Sequence, residues 1–453
     1  MRLNFIHKEH NPKLLLIFPG WSCDSSLFPD FQMPGWDVAI AEEADIPKFN
    51  QEDLAPYPTI YLIAWSLGVF WAEQCRIASL ITAAYAVNGT LYPAHDTEGI
   101  PKKIFSDTAS NLSPRNLMKF RKRMAGDSEI FHTFFSSMST ENEYIEVLRN
   151  QLMDILNGMG SVEMTLPWQR AYIGLADAIF PPANQLRHWK KLGVETIETP
   201  GSHFIDLNKV ISDNIPDIEK VATRFSNAGK TYNKEAVVQR RMASDLAEVF
   251  LKRRPNDKGR FAEIGAGTGL FTAQYLNGVK PAEIDFVDIS NVRPSAPQLK
   301  DGTIHCNYHI ADAEVWMASS EQRFDVILSA ATLQWLSNLP NFIADCASHL
   351  APDGIMAFSI FLPGNLEELD ALRPTPLLYH SGEEIVEAME PYFSDIQWYA
   401  DEMRIEFPGP RELLRHLQMT GIAGSSDSGS NWMRLRRIRS LTYRYGYFSG
   451  KKK

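Results

Sequence analysis

Short apolar runs alternate with helical patterns along the first half of the chain. The runs at residues 14–18, 59–64 and 171–174 favour strands buried on both faces of a parallel sheet. A further strand is predicted at residues 195–199. The stretch from about residue 106 to 157 is predicted mainly as helix, and it interrupts the strands as an inserted cap would.

The same alternation returns after a junction predicted at residues 211–217. A helical pattern begins at Val221, and helices then separate strands predicted at 260–264, 284–289, 324–329 and 354–361. Strands alternating with helices in both halves indicate two open, mostly parallel α/β sheets. We therefore predict two domains, residues 1–215 and 216–453, with a flexible loop at 424–430.

Composition narrows the class of protein. The 453 residues are 44% hydrophobic and 22% charged, which is typical of a globular protein of more than one domain. The net charge of −10 argues against general nucleic-acid binding. No apolar run approaches the ~20 residues of a membrane span, and we expect no membrane partner. The four cysteines form no CxxC pair, so we expect neither zinc nor a disulfide framework, and we predict a cytosolic protein with reduced thiols.

The first candidate site follows the strand predicted at residues 59–64. The sequence Ala-Trp-Ser-Leu-Gly at 64–68 has the strand–small-x-Ser-x-Gly–helix order of a nucleophile elbow, which exposes Ser66 on a strained turn. Ala64 stands where glycine is usual, a mild departure because alanine is still small. The amide of Leu67 would supply one oxyanion-hole donor, and Trp21, in the Phe-Pro-Gly-Trp loop after an earlier strand, is the candidate for the second.

A serine nucleophile needs a base and a carboxylate, in the chain order Ser, Asp, His for this kind of elbow. Asp177 follows one predicted strand, and His203 follows another 26 residues later. Taken singly, Ser66 could be structural, Asp177 a helix cap and His203 a polar loop residue. Together, in order and each after a strand, they predict a catalytic triad.

The second candidate site is a glycine-rich loop between a strand and a helix. Glu-Ile-Gly-Ala-Gly-Thr-Gly at 263–269 lets the backbone approach a ligand at a helix N-terminus, and it differs in spacing from the dinucleotide GxGxxG motif. Asp288 ends the next strand, 21 residues after Gly267, where it could bind ribose hydroxyls. Asp312, after the third strand, could hold the adenine amino group. With the fourth strand, Phe-Asp-Val-Ile-Leu-Ser, this pattern is characteristic of class I (Rossmann-like) methyltransferases that use S-adenosyl-L-methionine.

The second half has no obvious catalytic base, and this bears on the identity of the methyl acceptor. Methyl transfer requires alignment and exclusion of water. A carboxylate is already ionised at pH 7, since its reference pKa is near ~4, and it needs no strong base. The absence of an obvious catalytic base is therefore compatible with carboxyl methylation.

The second half resembles BioC, the malonyl-acyl-carrier-protein methyltransferases of biotin synthesis, over roughly residues 220–450. The resemblance is carried by residues 224–232 with 238–243, by 329–336 and by 411–421. The first half, about residues 1–212, is similar to BioG, the pimeloyl-carrier-protein methyl ester esterases. Its motifs are 18–21, 64–69, 177–181 and 201–203.

These resemblances imply an α/β-hydrolase with a helical cap followed by a class I methyltransferase, and a bifunctional enzyme of pimeloyl synthesis. The implied substrates are the free carboxylate of malonyl-acyl-carrier protein (or malonyl-CoA) and the methyl ester of pimeloyl-carrier protein. Ser66 would be the nucleophile, His203 the base and Asp177 its orienter. The implied cofactor-binding residues for S-adenosyl-L-methionine are Glu263, Gly265, Gly267, Gly269, Asp288 and Asp312. Tyr232, Gln334 and Trp335 would line the methyl-acceptor side.

An acidic carrier protein would need a basic patch, and the predicted cap carries Arg115, Lys119, Arg121, Lys122 and Arg123. Arg115, Lys119 and Arg123 share one helix face. We expect Arg121 and Arg123 to contact the carrier-bound substrate, although a solvated helix face explains the same charges. The C-terminal Lys451, Lys452 and Lys453 are expected to be a tail.

Two other interpretations remain open at this stage. The first half could be a degenerate hydrolase fold that serves only as a binding module for the methyltransferase. Alternatively, a small-molecule carboxyl methyltransferase of another pathway could be joined to an unrelated esterase.

Overall fold

The computed structural model describes residues 2–28, 31–42, 50–158, 163–223, 226, 236–253, 258–300, 302–372, 377–419 and 436–453. The chain forms two compact units, Met1–Ile211 and Ser212–Lys453. The loop predicted at residues 424–430 lies outside the described residues. The junction predicted at 211–217 begins inside a helix, Leu207–Asn214, because Leu207 and Val210 bury one apolar side of it.

The first unit is built on a seven-stranded sheet of order β1-β3-β2-β4-β5-β6-β7. Its strands are β1 Arg2–His7, β2 Lys13–Phe18, β3 Asp37–Glu42, β4 Thr59–Trp65, β5 Ala83–Val87, β6 Trp168–Gly174 and β7 Glu195–Thr199. Of these described strands, only β1 is antiparallel to its neighbour. Every residue of β2 and β4 is buried, as expected of central parallel strands.

Helices cover this sheet, and several of them lie between two consecutive strands of the chain. Its α-helices are α1 Leu67–Gln74, α2 Lys102–Ser110, α3 Pro114–Ala125, α4 Ser128–Ile130, α5 Asn142–Gly158, α6 Pro182–Lys191 and α7 Leu207–Asn214. The helices α2 to α5 form a helical insertion between β5 and β6, together with a π-helical turn at Phe131–Phe135. The mainly helical stretch predicted before β6 is therefore confirmed.

The second unit contains a seven-stranded sheet of order β10-β9-β8-β11-β12-β14-β13. Its strands are β8 Arg260–Ile264, β9 Glu283–Asp288, β10 His305–Ile310, β11 Phe324–Ala330, β12 Leu350–Phe361, β13 Phe393–Glu406 and β14 Ser440–Lys452. The five strands from β10 to β12 are parallel, and β14 is antiparallel to both of its neighbours. The strand order reverses between β8 and β11, where ligands bind in open α/β sheets.

Helices pack on both faces of the second sheet. They are α8 at residues 218–223, α9 Val237–Arg253, α10 Thr272–Tyr275, α11 Ala313–Ser319, α12 Leu339–His349, α13 Gly382–Met389 and α14 Pro410–Met419. Two apolar clusters form the core, one on each face. Among the described residues, no helix combines the length and apolar character needed to cross a bilayer.

The end of the chain differs from the prediction. Lys451 and Lys452 are not a tail but lie in β14, which is paired on both sides. The ammonium of Lys452 donates to the Leu350 carbonyl oxygen at 2.6 Å, and that of Lys451 lies 2.9 Å from the Asp353 carboxylate. The lysines are held in the sheet because β14 lies between β12 and β13. Its pairing with β12 extends to Lys451, and its pairing with β13 extends to Lys452.

Candidate functional sites

Ser66 lies on a sharp turn between β4 and α1. Its φ of 59° and ψ of −125° are unusual for a residue other than glycine, and such strain is concentrated at functional sites. The turn is possible because small residues surround it. A Cβ atom at Gly68 would lie 2.4 Å from the Phe18 carbonyl oxygen, and one at Gly89 would lie 2.2 Å from that of Ser66.

The structure brings Ser66, His203 and Asp177 together. His203 Nε2 lies 2.9 Å from Ser66 Oγ, and His203 Nδ1 lies 2.9 Å from Asp177 Oδ2. All three residues are buried. Each follows the carboxyl end of a parallel strand (β4, β6 and β7), which is why residues so distant in sequence meet at one edge of the sheet.

Further hydrogen bonds hold the carboxylate of Asp177. Its Oδ1 accepts from the amides of Ile179 and Phe180 at 2.7 and 3.0 Å, and its Oδ2 accepts from Gln185 Nε2 at 2.9 Å. These donors hold the carboxylate in place and fix the oxygen that faces the imidazole.

Asn88 fixes the loop that carries His203, a role that sequence reasoning missed. Its Nδ2 donates to the carbonyl oxygens of Ser202 and His203 at 2.9 and 2.8 Å, and its Oδ1 accepts from the Gly174 amide at 2.7 Å. Its position one residue after β5, at the same edge of the sheet, was the available signal.

The loop after β2 lies against Ser66. A Cβ at Gly20 would be 3.1 Å from that of Ser66, so the next amide, that of Trp21, is close to the serine. The Leu67 amide is in the first turn of α1 and has no partner within the helix. The indole of Trp21 points away and donates to the Leu148 carbonyl oxygen at 3.1 Å, which anchors the loop to the helical insertion.

Aromatic side chains surround the imidazole. Phe180 stacks on His203 at a centroid separation of 6.0 Å, and Trp65 lies on it at 5.5 Å. Phe135 and Phe204 lie beside the Trp65 ring at 6.5 and 5.7 Å. Aromatic rings therefore enclose the imidazole that lies beside Ser66.

Arg121 is not on an exposed basic patch, which corrects the sequence prediction. Its side chain is fully buried and donates to the carbonyl oxygens of Met138 and Ser139 and to that of Ser22, at 3.0 to 3.1 Å. Burial lowers its pKa. The other bases of α3 are exposed, and they are Arg115, Lys119, Lys122 and Arg123.

In the second unit, the glycine loop opens onto a cleft at the carboxyl ends of β8, β9 and β11. Gly265, Gly267 and Gly269 all have positive φ, at 69°, 48° and 85°. A Cβ at Gly265 would fall 2.1 Å from Thr332 Oγ1, whereas one at Gly267 would meet nothing within 4 Å. Gly265 is therefore required for close packing, and Gly267 borders open space that a ligand can fill.

The two predicted acidic residues line the same cleft. Asp288 Oδ2 accepts from the Gly267 amide at 2.8 Å and Oδ1 accepts from Ser290, so the carboxylate ties the glycine loop to β9. Asp312 caps α11 through the Glu314 amide at 2.9 Å. Each carboxylate oxygen can accept a further hydrogen bond.

Glu263 lies beneath the glycine loop. Its Oε2 accepts from the hydroxyls of Thr272 and Tyr275, both at 2.8 Å. Burial raises the pKa of this carboxyl to about 7, the two hydroxyls oppose that rise, and the nearby Asp288 adds to it. Because this pKa is near neutral pH, a bound cation would shift Glu263 toward its ionised form.

The acceptor-side residues are only partly brought together. Trp335 lines the cleft. The Gln334 side chain donates to the Ala331 carbonyl oxygen at 2.7 Å and is not part of the cleft lining. Tyr232 lies outside the described residues. Sequence reasoning gave no role to Ile218 and Val221 of α8, whose side chains form an apolar wall of the cleft.

The described residues contain no cluster of His, Cys, Asp or Glu that could hold a metal ion, and the four cysteines are free thiols.

The two halves of the chain match two different protein families, and each match corresponds to one of the two sheets. Residues 1–208 match the family described as pimeloyl-ACP methyl esterase BioG. Residues 235–422 match a family described as a methyltransferase domain.

Curated relatives extend the comparison to almost the whole chain. A malonyl-[acyl-carrier protein] O-methyltransferase of Bacteroides fragilis is 30% identical over 429 residues, covering 93% of this chain and 86% of that protein. One of Prosthecochloris aestuarii is 31% identical over 239 residues, or 51% of this chain and 87% of that protein. Among solved structures, BioG of Haemophilus influenzae is 28% identical over 45% of this chain and 94% of that one, with a TM-score of 0.40.

S-adenosyl-L-methionine is the cofactor of the methyltransferase domain, and the cleft residues fit it. Gly267 leaves room for a ligand, Asp288 and Asp312 offer acceptors for ribose hydroxyls and an adenine amino group, and Glu263 suits a cationic ligand. With a BioG domain at its N-terminus and a methyltransferase domain at its C-terminus, the chain belongs to the malonyl-[acyl-carrier protein] O-methyltransferase family.

Proposed function

We propose that this chain is a bifunctional enzyme of pimeloyl synthesis for biotin. Its second unit methylates the free carboxylate of malonyl-acyl-carrier protein, or of malonyl-CoA. Its first unit, an α/β-hydrolase whose helical insertion is the cap, hydrolyses the methyl ester of pimeloyl-acyl-carrier protein. The observation that carries the esterase proposal is the continuous hydrogen-bonded series from Ser66 through His203 to Asp177, with both distances at 2.9 Å.

In the esterase, Ser66 Oγ attacks the ester carbonyl carbon while His203 Nε2 accepts its proton. The amides of Leu67 and Trp21 stabilise the negative charge that develops on the carbonyl oxygen. The tetrahedral intermediate then collapses, and His203 returns the proton to the departing methoxide, which leaves as methanol. Water, deprotonated by His203, attacks the acyl-serine, and His203 returns that proton to the departing Ser66 Oγ as the free carboxylate is released. Asp177 orients the imidazole and stabilises its protonated form throughout.

In the methyltransferase, the cofactor supplies an electrophilic methyl group to the acceptor carboxylate. The acceptor needs no general base because a carboxylate is ionised at neutral pH. The chain's own residues therefore bind and orient the cofactor and the acceptor, and they exclude water from the site. Asp288 and Asp312 would hold the nucleoside, and the ionised carboxylate of Glu263 would attract the positively charged ligand. Ile218, Val221 and Trp335 would exclude water from the reacting atoms.

The two reactions make chemical sense as a pair. Methylation removes the charge from one end of the acyl chain, so the chain can enter the apolar pockets of elongating enzymes. Hydrolysis after elongation restores the carboxylate. We also propose a cytosolic location, because both thioester substrates and four free thiols suit a reducing compartment.

Growth without biotin tests both activities in one experiment. Two bacterial strains, one lacking the methyltransferase and one lacking the esterase, would receive the wild-type chain, Ser66→Ala or Gly267→Arg. We expect Ser66→Ala to fail only in the esterase-deficient strain and Gly267→Arg only in the other. If the wild-type chain rescued neither strain, the pathway would be wrong. Failure of a fluorophosphonate to label Ser66 would reduce the first unit to a binding module.

A further inference from the structure

Gln239 has a buried polar atom to which no described residue donates a hydrogen bond. The residue is 8% exposed and lies in the first turn of α9, where its side chain lines the cleft beside the glycine loop. Its Oε1 is fully enclosed and has no hydrogen-bond donor among the described residues. An unpaired buried acceptor is costly, so the position is more easily explained by a ligand that donates to it.

The position of Gln239 limits which part of a ligand it can meet. Asp288 ends β9 and Asp312 follows β10, and both strands lie on one side of β8 in the sheet order. Helix α9 packs against β11, β12 and β14, on the other side of β8. Gln239 therefore faces the cleft from the side opposite the two carboxylates that suit the ribose and the adenine.

We propose that Gln239 Oε1 accepts a hydrogen bond from the α-ammonium group of the methionyl part of S-adenosyl-L-methionine. The missing partner must be a donor, and the cofactor has three kinds of donor: the adenine amino group, the ribose hydroxyls and the ammonium. The first two have acceptors at Asp312 and Asp288. The ammonium remains, and it belongs to the part of the cofactor that extends beyond the ribose.

This proposal rests on the cofactor assignment and not on the identity of the methyl acceptor. It can be tested by binding alone, with the full-length chain, isothermal titration calorimetry and two probes. S-adenosyl-L-homocysteine contains the ammonium. Methylthioadenosine has the same nucleoside and sulfur but lacks the whole amino-acid part.

Gln239→Leu is expected to weaken S-adenosyl-L-homocysteine binding roughly ten- to a hundredfold, the usual effect of losing a hydrogen bond to a charged group. Its affinity for methylthioadenosine should equal that of the wild type. Gln239→Glu, which keeps an acceptor oxygen, should bind S-adenosyl-L-homocysteine more tightly than Gln239→Leu at pH 8.

Gln298→Leu is the matched control. Gln298 also has a buried Oε1 without a donor among the described residues, but it is not part of the cleft lining, so both probes should bind as in the wild type. Thermal unfolding without ligand provides a second readout. Gln239→Leu should unfold no earlier than the wild type, because it removes an unpaired polar atom.

Two results would overturn the proposal. Equal loss of both probes would mean that Gln239 shapes the cleft rather than binding the ammonium, and unchanged affinity for both would mean that it binds neither. Absence of S-adenosyl-L-homocysteine binding by the wild-type chain would be a different failure, since it would remove the cofactor assignment as well.

Discussion

The guanidinium of Arg121 donates a hydrogen bond to the backbone carbonyl oxygen of Ser22, at 3.1 Å. Ser22 follows Trp21, whose amide is the proposed second donor of the oxyanion hole, and it has a φ of +65°. Arg121 belongs to α3 of the helical insertion and also holds the carbonyl oxygens of Met138 and Ser139. One buried cation therefore joins the insertion to the loop beside Ser66.

We predict that Arg121→Met lowers the kcat of ester hydrolysis by tenfold or more and leaves the KM for a small ester largely unchanged. The reason is that the Trp21 amide would lose its fixed position, and an oxyanion-hole donor acts mainly in the transition state. The substitution also leaves buried carbonyl oxygens without a donor, which should cost about 1–3 kcal/mol of the free energy of unfolding.

Arg123→Met is the matched control, because Arg123 is exposed on the same helix. It should hydrolyse p-nitrophenyl acetate as the wild type does. A kcat for Arg121→Met equal to that of Arg123→Met, in folded protein, would rule out the positioning role.

A second prediction concerns pH and the carboxyl of Glu263. Its pKa is raised from 4.5 to about 7 by burial, with Thr272, Tyr275 and Asp288 as its polar neighbours. Between these values the folded state keeps a proton that the unfolded state loses, so stability falls as pH rises through this window. The full shift corresponds to roughly 3 kcal/mol at pH 8. Above pH 7 the ionised carboxylate should bind the cationic cofactor more tightly.

Glu263→Gln should remove both effects. Compared with the wild type, the cofactor-free variant should gain stability between pH 5 and pH 8, as measured by urea unfolding, and its affinity for S-adenosyl-L-methionine should lose its rise toward pH 7. Glu321→Gln, at an exposed position, should behave as the wild type does. A wild-type affinity that did not change from pH 5.5 to pH 8 would contradict this account.

The sequence predicted those parts of the molecule that depend on local pattern. The strand Arg260–Ile264 was predicted with its observed bounds, since a short strand followed by a glycine loop is a strong local signal. The meeting of Ser66, His203 and Asp177 also follows from local information, because the carboxyl ends of parallel strands share one edge of a sheet.

What the sequence did not reveal depends on contacts between distant elements. Strand β13 was missed because exposed charged residues interrupt its apolar pattern at the edge of the sheet. The burial of Arg121 depends on carbonyl oxygens of residues 22, 138 and 139, which no local pattern connects to α3. Helix geometry gave a partial signal, because a step of two residues turns Arg121 roughly 200° around the helix axis from Arg123.

A third prediction concerns how the proposed esterase would spare the product of the proposed methylation. The methyl esters of malonyl and pimeloyl thioesters differ by four methylenes. At ~0.8 kcal/mol for each buried methylene, an apolar channel would favour the longer ester by roughly 3 kcal/mol, or about a hundredfold in kcat/KM. The aromatic surroundings of His203 suit such a channel. Equal kcat/KM for the two carrier-bound esters would exclude sorting by burial.

The last prediction concerns the exposed basic face of α3, which contains Arg115, Lys119 and Arg123. Reversing all three charges to Glu should raise the KM for a carrier-bound ester about tenfold, because an acidic carrier protein is attracted electrostatically. The effect should shrink as salt rises, since exposed charges are screened. Turnover of p-nitrophenyl acetate should not change, because the triad is untouched. Lys190→Glu, on the exposed side of α6, should leave unchanged the KM for the carrier-bound ester and the KM for p-nitrophenyl acetate. If the triple variant kept the wild-type KM at low salt, α3 would be a solvated face and the carrier would dock elsewhere.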